Sequence, residues 1–584
     1  MNQPAATSQG DVQAAFCAVL VDEWVRGGLT DAVVAPGSRS TPLVLALDAD
    51  PAVRVHVVLD ERSAGFTALG LALSTRRPVA IATTSGTASV ELHPAVVEAY
   101  HSYVPLIAAT SDRPPELHDV GAPQTVEQES LFSRAVRWAV SPGVPDLGSV
   151  ATWRSLGSRI VVEATGSGGP AGPVHVNLAF REPLLGDAGS IGVPPGRTSR
   201  EPWHKVTRSL TGSAPREVVD LLERYSGRRG LVVAGWGAGA GGSGLVRAAG
   251  AVGWPVFADP RSGCRAGPEP VVAAADALLR VPAIGHGWTP EIVVRAGSPW
   301  ASKVLSQWLG SLPPDIPQVL VDPWGRWSDP ERRSSHVVAG GAGELLAEVA
   351  AGQDGPKSSS WFSGWADAER AAQQAFDRLL GPGGDFEMSE PGVARALLAG
   401  APAGTRVMVS SSMPVRDVEW FGPPSFDCEV LSNRGANGID GVLSTAIGVA
   451  LSGVPAIALL GDLAFLHDAG ALLGLNNRDI SLTVLVVDNN GGGIFSFLPQ
   501  ASALPAETYE RYWGTPQDAD LLSIAAGYGV AAQGIDSRSG LDDLIAGAGK
   551  PGVRVAIVRS DRADNVVAHE RLNAAVGKAA AGLV

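Results

Sequence analysis

Cysteine is scarce in this 584-residue chain. Cys17, Cys264 and Cys428 are the whole set, and they lie far apart with no metal-ligand spacing. Such a sparse, odd set leaves no thiolate metal centre and fits a reducing cytoplasm. Basic charge is also in short supply, with 45 Lys and Arg against 59 Asp and Glu and a net charge of −14. General nucleic-acid or anionic-membrane binders are basic, so neither partner is expected, although a local basic site for a small anion is compatible with the total. The stretch MNQPAATSQGDVQAAF has no basic segment followed by an apolar one, so no secretory signal is read there. Long apolar runs are missing too. The most apolar long window, 444–465, is interrupted by Gly448, Gly453, Pro455, Gly461 and Asp462. A helix, a turn and a strand account for it better than a membrane span.

What is present is alternation. In the first part of the chain, VRVHVVLD, PVAIATTSG and VPLIAATSD are short β-branched runs, and ERSAGFTALGLALSTR and TASVELHPAVVEAYHS between them have helical spacing. That order predicts a parallel sheet with crossover helices. GPVHVNLAFREPL reads as its last strand. GLVVAG, EIVVRAGSP and QVLVDPW repeat the pattern in the middle, and RVMVSSS, AIALLGD, SLTVLVVDNN and RVAIVRSD repeat it near the end. The fold class is therefore α/β, with three domains at 1–190, 205–352 and 360–584, each with a central parallel sheet flanked by helices. AAGQDGPKSSSW (350–361) reads as a linker. GWGAGAGGSG is taken as a structural turn, since no clear dinucleotide fingerprint with a downstream ribose acid is read there. Three similar units suggest an old duplication of architecture.

The chemistry sits where two apolar runs stop. AIALL ends in Gly461-Asp462, and TVLVV ends in Asp488-Asn489-Asn490-Gly491-Gly492-Gly493. In open parallel sheets, ligands bind beyond the carboxyl ends of the strands. The Asp462 carboxylate, the Asn489 carboxamide oxygen and a backbone carbonyl such as that of Gly491 are hard oxygen ligands. They suit Mg2+ whose octahedron is completed by phosphate oxygens and water. The glycines let backbone come close to a phosphate. Either half alone is an ordinary strand–turn junction; the two together suit a metal ion carrying a phosphate group. Glu61, after the run VRVHVVLD, is either a catalytic acid at a strand end or a helix-start acid.

The Gly-Asp and Asn-rich pair resembles the fingerprint of thiamine-diphosphate enzymes, with Leu463 in place of the usual following glycine. Gly37-Ser38-Arg39-Ser40-Thr41-Pro42, TSDRPPEL with Arg113, GAPQT with Gln124, SSMPVRD with Arg416, SNRGANGIDG with Arg434, and NNGGGIFSFLP narrow the resemblance. They are similar to the 2-succinyl-5-enolpyruvyl-6-hydroxy-3-cyclohexene-1-carboxylate synthase family of menaquinone biosynthesis. The likeness covers both ends of the chain. In the middle only SPWASKVLSQW, with Lys303, resembles the family.

The resemblance implies a pyrimidine-binding, a central and a diphosphate-binding domain, and a homodimer or homotetramer with active sites at the chain interface. It implies thiamine diphosphate with Mg2+, or Mn2+ in its place. The reaction implied is decarboxylation of 2-oxoglutarate and conjugate addition of the succinyl-semialdehyde carbanion equivalent to isochorismate. Glu61 would stand at pyrimidine N1′, favouring the imino tautomer. Asp462, Asn489 and Gly491 would hold the metal. Gly461, Leu463, Gly492, Gly493, Ser412, Met413, Ile439, Ile494 and Phe495 would contact the cofactor, with Ile439 as the wedge that bends it. Ser38, Arg39, Arg113 and Gln124 would face isochorismate, and Ser412, Arg416 and Arg434 the donor. Arginine suits these dicarboxylates because its planar fork stays charged and grips carboxylate through two bonds. Lys303 would touch substrate. Leu498 would wall the site or pack in the core. The rival readings are another thiamine-diphosphate decarboxylase or carboligase, and an inactive regulatory homologue.

Overall fold

The computed structural model describes residues 8–206, 215–238, 242–265, 271–353, 357 and 359–583. These residues form two compact units.

The first unit holds the described residues 8–206 together with 433–454 and 467–473. Its strands are β1 (Asp31–Val34), β2 (Arg54–Val57), β3 (Val79–Thr83), β4 (Leu106–Asp112), β5 (Trp138–Val140) and β6 (Val174–Ala179). They pair in the parallel order β2-β1-β3-β4-β6-β5. β1, β3, β4 and β6 are buried along their whole length, as parallel strands covered on both faces must be. Alternate residues feed opposite cores. Ala32, Ala80 and Ile107 pack with the helices Gln9–Arg26 and Trp153–Thr165. Val33, Ile81 and Leu106 pack with Glu61–Thr75 and His93–His101. The stretch 87–102 is two helices, Thr87–Val90 and His93–His101, instead of one. Pro94 stands in the first turn of the second, where its missing N–H is harmless, and it starts a new helix. The helix Val442–Leu451 packs against Glu61–Thr75 so closely that a Cβ on Gly70 would lie 1.9 Å from the Thr445 carbonyl oxygen.

The second unit contains two sheets. The central one has β7 (Gly230–Ala234), β8 (Val256–Ala258), β9 (Val271–Val272), β10 (Ile292–Ala296), β11 (Gln318–Asp322) and β12 (His336–Ala339), in the order β12-β11-β10-β7-β8-β9. Counted from its own first strand this is 3-2-1-4-5-6, the doubly wound order of dinucleotide folds. The sequence reading of the Gly-rich turn needs correction here. Gly237, Gly239 and Gly242 do have G-x-G-x-x-G spacing, and Asp259 follows β8 where a ribose-binding acid would stand. Asp259 is fully buried, however, and both its oxygens are taken by Arg261. That local ion pair is what argues against a ribose contact. Residues 239–241 of the turn, and 354–356 and 358 of the 350–361 linker, lie outside the described residues.

The third sheet has β13 (Arg406–Val409), β14 (Glu429–Leu431), β15 (Ala456–Gly461), β16 (Ser481–Asp488), β17 (Ala531–Gly534) and β18 (Gly552–Arg559), in the order β14-β13-β15-β16-β18-β17. Strand for strand, this repeats the first sheet. β15 and β16 are adjacent and parallel, in register from Ala456 opposite Leu482 to Gly461 opposite Val487. Their carboxyl ends therefore share an edge. No helix among the described residues is long and apolar enough to cross a membrane.

Candidate active site

At the third sheet's edge, Gly461 closes β15 and Asp462 opens the short helix Asp462–His467. Asp462 is buried, and its Oδ2 accepts the Gly491 backbone N–H at 2.6 Å. Burial pushes its pKa up to about 6, and nearby Asp488 adds to the rise. A buried carboxyl held above its ordinary range favours a cation beside it. Asn489 follows β16 and is buried. Its Nδ2 donates to Glu390 Oε1 at 2.8 Å, while its Oδ1 has no partner among the described residues. Asn490 takes a left-handed conformation and Gly491 a φ of +141°. A Cβ on Gly491 would lie 2.0 Å from the Gly514 carbonyl oxygen, so glycine is obligatory there. A Cβ on Gly461 would meet nothing within 4 Å, so that strand end borders open space. A buried carboxylate, an unpartnered buried carboxamide oxygen and glycine backbone at one edge fit a hard cation carrying a diphosphate. No cluster of three or more His, Cys, Asp or Glu suited to a metal occurs among the described residues. This donor set contains only one such residue.

Ser412 lies beyond β13 on the same edge, at φ 73°, unusual for a residue with a side chain. It stands just before the helix Met413–Phe421 without a side-chain capping bond, and its carbonyl accepts Arg416 Nη1 at 2.6 Å. Burial lowers the Arg416 pKa, opposed by Glu419 and Asp417. Ile494 and Phe495 are half-buried, and Leu498 is 39% exposed, which is too open for core packing. Lys303 is exposed at the start of the helix Lys303–Ser311. It bonds to none of the other candidates. Two residues earlier, Ala301 N donates to Glu419, on the helix that carries Arg416.

In the first unit, Glu61 is half-buried and is the first residue of its helix, capped by Asp60, whose side chain accepts the Ser63 N–H. Neighbouring Arg62 is tied to the His467 carbonyl at 3.0 Å and to Asp468 at 3.6 Å. At the ends of β1, β3 and β4, Arg39, Arg113 and Gln124 come together. Arg113 Nη1 donates to Ser85 Oγ, which itself donates to the Gln124 carbonyl, and Gln124 Nε2 returns a bond to the Ser85 carbonyl at 2.8 Å. Arg39 is buried and donates to the Phe180 carbonyl. Its Nε has no partner among the described residues. Burial lowers its pKa and the charge of Arg113 lowers it further, while Glu182, whose Oε1 lies 3.3 Å from Nη2, opposes both. Two guanidiniums held this close favour an anion between them. Ser38 is exposed beside them. The segment bearing Arg434 and Ile439 is clamped by buried Glu98, whose two oxygens accept Gly435 N at 2.8 Å and Ala436 N at 2.7 Å.

Sequence reasoning missed Glu390, Ser85, Gln128 and Glu98. Gln128 is buried, accepts Gly86 N–H, and donates to Ser111 and Asn177, so it ties the Ser85 turn to the end of β4. Glu390 is buried with its pKa pushed up to about 7, first by burial and then by Asp417. Ser389-Glu390 carries only the signature of a helix start. Nothing in the sequence connects it to Asn489, 99 residues away.

Three family profiles match the chain. They are the N-terminal TPP binding domain of thiamine pyrophosphate enzymes at 15–131, the thiamine pyrophosphate middle domain at 197–409, and the C-terminal TPP binding domain at 429–558. A 2-succinyl-5-enolpyruvyl-6-hydroxy-3-cyclohexene-1-carboxylate synthase of Thermobifida fusca is 42% identical over 97% of this chain and 99% of its own length. One from Chloroflexus aurantiacus is 38% identical over 95% of both chains. The chain belongs to this synthase family. It is thus a thiamine-diphosphate-dependent enzyme. A benzoylformate decarboxylase structure from Polynucleobacter necessarius aligns over 94% of this chain and 98% of its own, with a TM-score of 0.68. At 16% identity it is similar in fold alone.

Proposed function

We propose that the chain decarboxylates 2-oxoglutarate and joins the four-carbon fragment that remains to isochorismate by 1,4-addition. The product is 2-succinyl-5-enolpyruvyl-6-hydroxy-3-cyclohexene-1-carboxylate, in menaquinone biosynthesis. The observation that carries this reading is near-full-length similarity to relatives bearing that enzyme's name. The guanidinium pair at one sheet edge and the buried carboxylates at another support it. Bound thiamine diphosphate would supply the nucleophilic carbon and hold the electron pair left behind when carbon dioxide departs.

The chain's own residues do the rest. Asp462, the Asn489 side-chain oxygen and the Gly491 carbonyl hold Mg2+, or Mn2+ in its place. Gly461, Leu463, Gly492 and Gly493 bring backbone to the diphosphate. Met413, Ile439, Ile494 and Phe495 wall the cofactor and keep water out, with Leu498 at the mouth. Glu61 shares a proton with pyrimidine N1′. Ser412, Arg416 and Arg434 orient 2-oxoglutarate, and Ser38, Arg39, Arg113 and Gln124 orient isochorismate. Lys303 is a more distant substrate contact. Residues 1–190 act as the pyrimidine domain, 205–352 as the central domain and 360–584 as the diphosphate domain. The working form is a cytoplasmic homodimer or homotetramer with its sites at the chain interface.

The test is to mix protein, Mg2+, thiamine diphosphate, 2-oxoglutarate and isochorismate and to follow isochorismate absorbance. Loss that requires every component supports the reading. Carbon dioxide release with isochorismate untouched would leave only a decarboxylase.

A further inference from the structure

A carboxamide presents opposite chemistry at its two ends. Its oxygen can bind a cation, and its NH2 repels one. Rotation about the last side-chain torsion exchanges the two, so a metal-binding asparagine needs something to select the oxygen-out orientation. In this chain Asn489 Nδ2 donates to Glu390 Oε1 at 2.8 Å, and Oδ1 is left without a partner among the described residues. An unprotonated carboxyl oxygen accepts and does not donate, so it admits only the NH2 end. Glu390 is itself fixed. It is the first residue of the helix Glu390–Gly400, capped by Ser389, whose Oγ accepts the Gly392 N–H at 3.3 Å. Ser560, just past β18, donates its hydroxyl to the same Oε1 at 2.8 Å. One oxygen thus gathers donors from the ends of two neighbouring strands, β16 and β18.

We infer that Glu390 is a positioning residue that holds the Asn489 side-chain oxygen turned toward the cation site. The inference rests on the reading of Asn489 as a Mg2+ ligand. Because both bonds fall on a single oxygen, the role needs an acceptor at that point and not a negative charge. Two variants separate these properties. Glu390→Gln keeps the acceptor and drops the charge. Glu390→Asp keeps the charge and withdraws the oxygen by about one bond length, roughly 1.5 Å.

The experiment titrates Mg2+ into full-length protein at fixed thiamine diphosphate and reads cofactor binding by calorimetry. Removing a group that orients a metal ligand typically costs about 10–100-fold in metal affinity. Glu390→Asp should raise the half-saturating Mg2+ by about that factor, with the ligand-free melting temperature near wild type. Glu390→Gln should stay within about threefold of wild type, since its carbonyl oxygen can accept both bonds. A wild-type Mg2+ requirement in Glu390→Asp, or a loss in Glu390→Gln as large as that in Glu390→Asp, would overturn the inference. If Glu390→Asp does not fold, Glu390→Met takes its place with the same expected rise, filling similar volume with no acceptor. Asn489→Ala is measured alongside. If it binds at wild-type Mg2+, the ligand assignment itself fails. If it is disabled while Glu390→Asp is not, only the positioning role fails.

Discussion

The first and third sheets share one strand order and finish in opposite chemistry. At the first sheet's edge, the charge of Arg113 lies close enough to disfavour that of Arg39, and the loops around them are laced by hydrogen bonds among Ser85, Gln124 and Gln128. At the third sheet's edge, Asp462 and Glu390 are buried with their pKa values pushed up to about 6 and about 7. One edge carries two guanidiniums, with Glu182 facing Arg39 from one side at 3.3 Å. The other carries carboxyls whose ionised form burial disfavours and a cation would stabilise. The shared scaffold supplies the place, beyond the strand ends, and the residues at those ends decide what can stand there.

If the two edges serve one cofactor from different chains, damage to them should complement. A Glu61→Gln chain and an Asp462→Ala chain are each expected to be inactive. Mixed dimers contain one site built from both intact edges, so activity should return to about a quarter of wild type after random reassociation. No recovery after verified subunit exchange would break the comparison at its root.

A smaller effect should separate acceptor from donor. Truncating a charge-assisted contact costs about 1.5–3 kcal/mol, roughly 10–150-fold. Neutral substitution of Arg39 or Arg113 should damage isochorismate kinetics by that factor while 2-oxoglutarate decarboxylation is nearly retained. Equal damage to both half-reactions would remove the assignment.

The carboxyl edge should respond to pH. Asp462 and Glu390 have folded pKa values above their ordinary ones. They therefore stabilise the ligand-free fold fully below about pH 4, and that contribution is lost as pH rises through about 6 to 7. Metal binding runs the other way, because it needs the ionised carboxylate. Mg2+ affinity should fall by about tenfold from pH 7 to pH 5, with proton release visible in calorimetry across buffers of different ionisation enthalpy. The smallest effect is expected at Leu498, which is 39% exposed. Leu498→Ala should shift unfolding by no more than about 0.5 kcal/mol, where a core leucine would cost about 2–5 kcal/mol.

Much of this was legible in the sequence, for physical reasons. β3, β4, β15 and β16 are buried on both faces, so they appear as nearly continuous apolar runs ending in polar turns. The short strands β5, β8, β9, β14 and β17 are two to four residues long and too brief to show any period. Asp462 and Asn489 stood out because neighbouring strands in register bring two sequence-visible turns to one edge. Glu390, Glu98 and Gln128 did not, because a residue that holds another in place across 42 to 337 positions leaves no spacing to read. Asp259 is the converse case, a residue in a suggestive position that its own neighbour Arg261 occupies.

On the proposed assignment, the first edge activates the cofactor and the third edge binds it. The direct measurement is hydrogen–deuterium exchange at the cofactor's C2 carbon, made alongside calorimetric binding, for Glu61→Gln and Asp462→Ala. Glu61→Gln should still bind cofactor and Mg2+ yet exchange about 10²–10⁴-fold more slowly. Asp462→Ala should lose Mg2+-dependent affinity first and recover exchange at high Mg2+ and cofactor. Wild-type exchange in Glu61→Gln would contradict the account and leave Glu61 as an ordinary acid at the start of a helix.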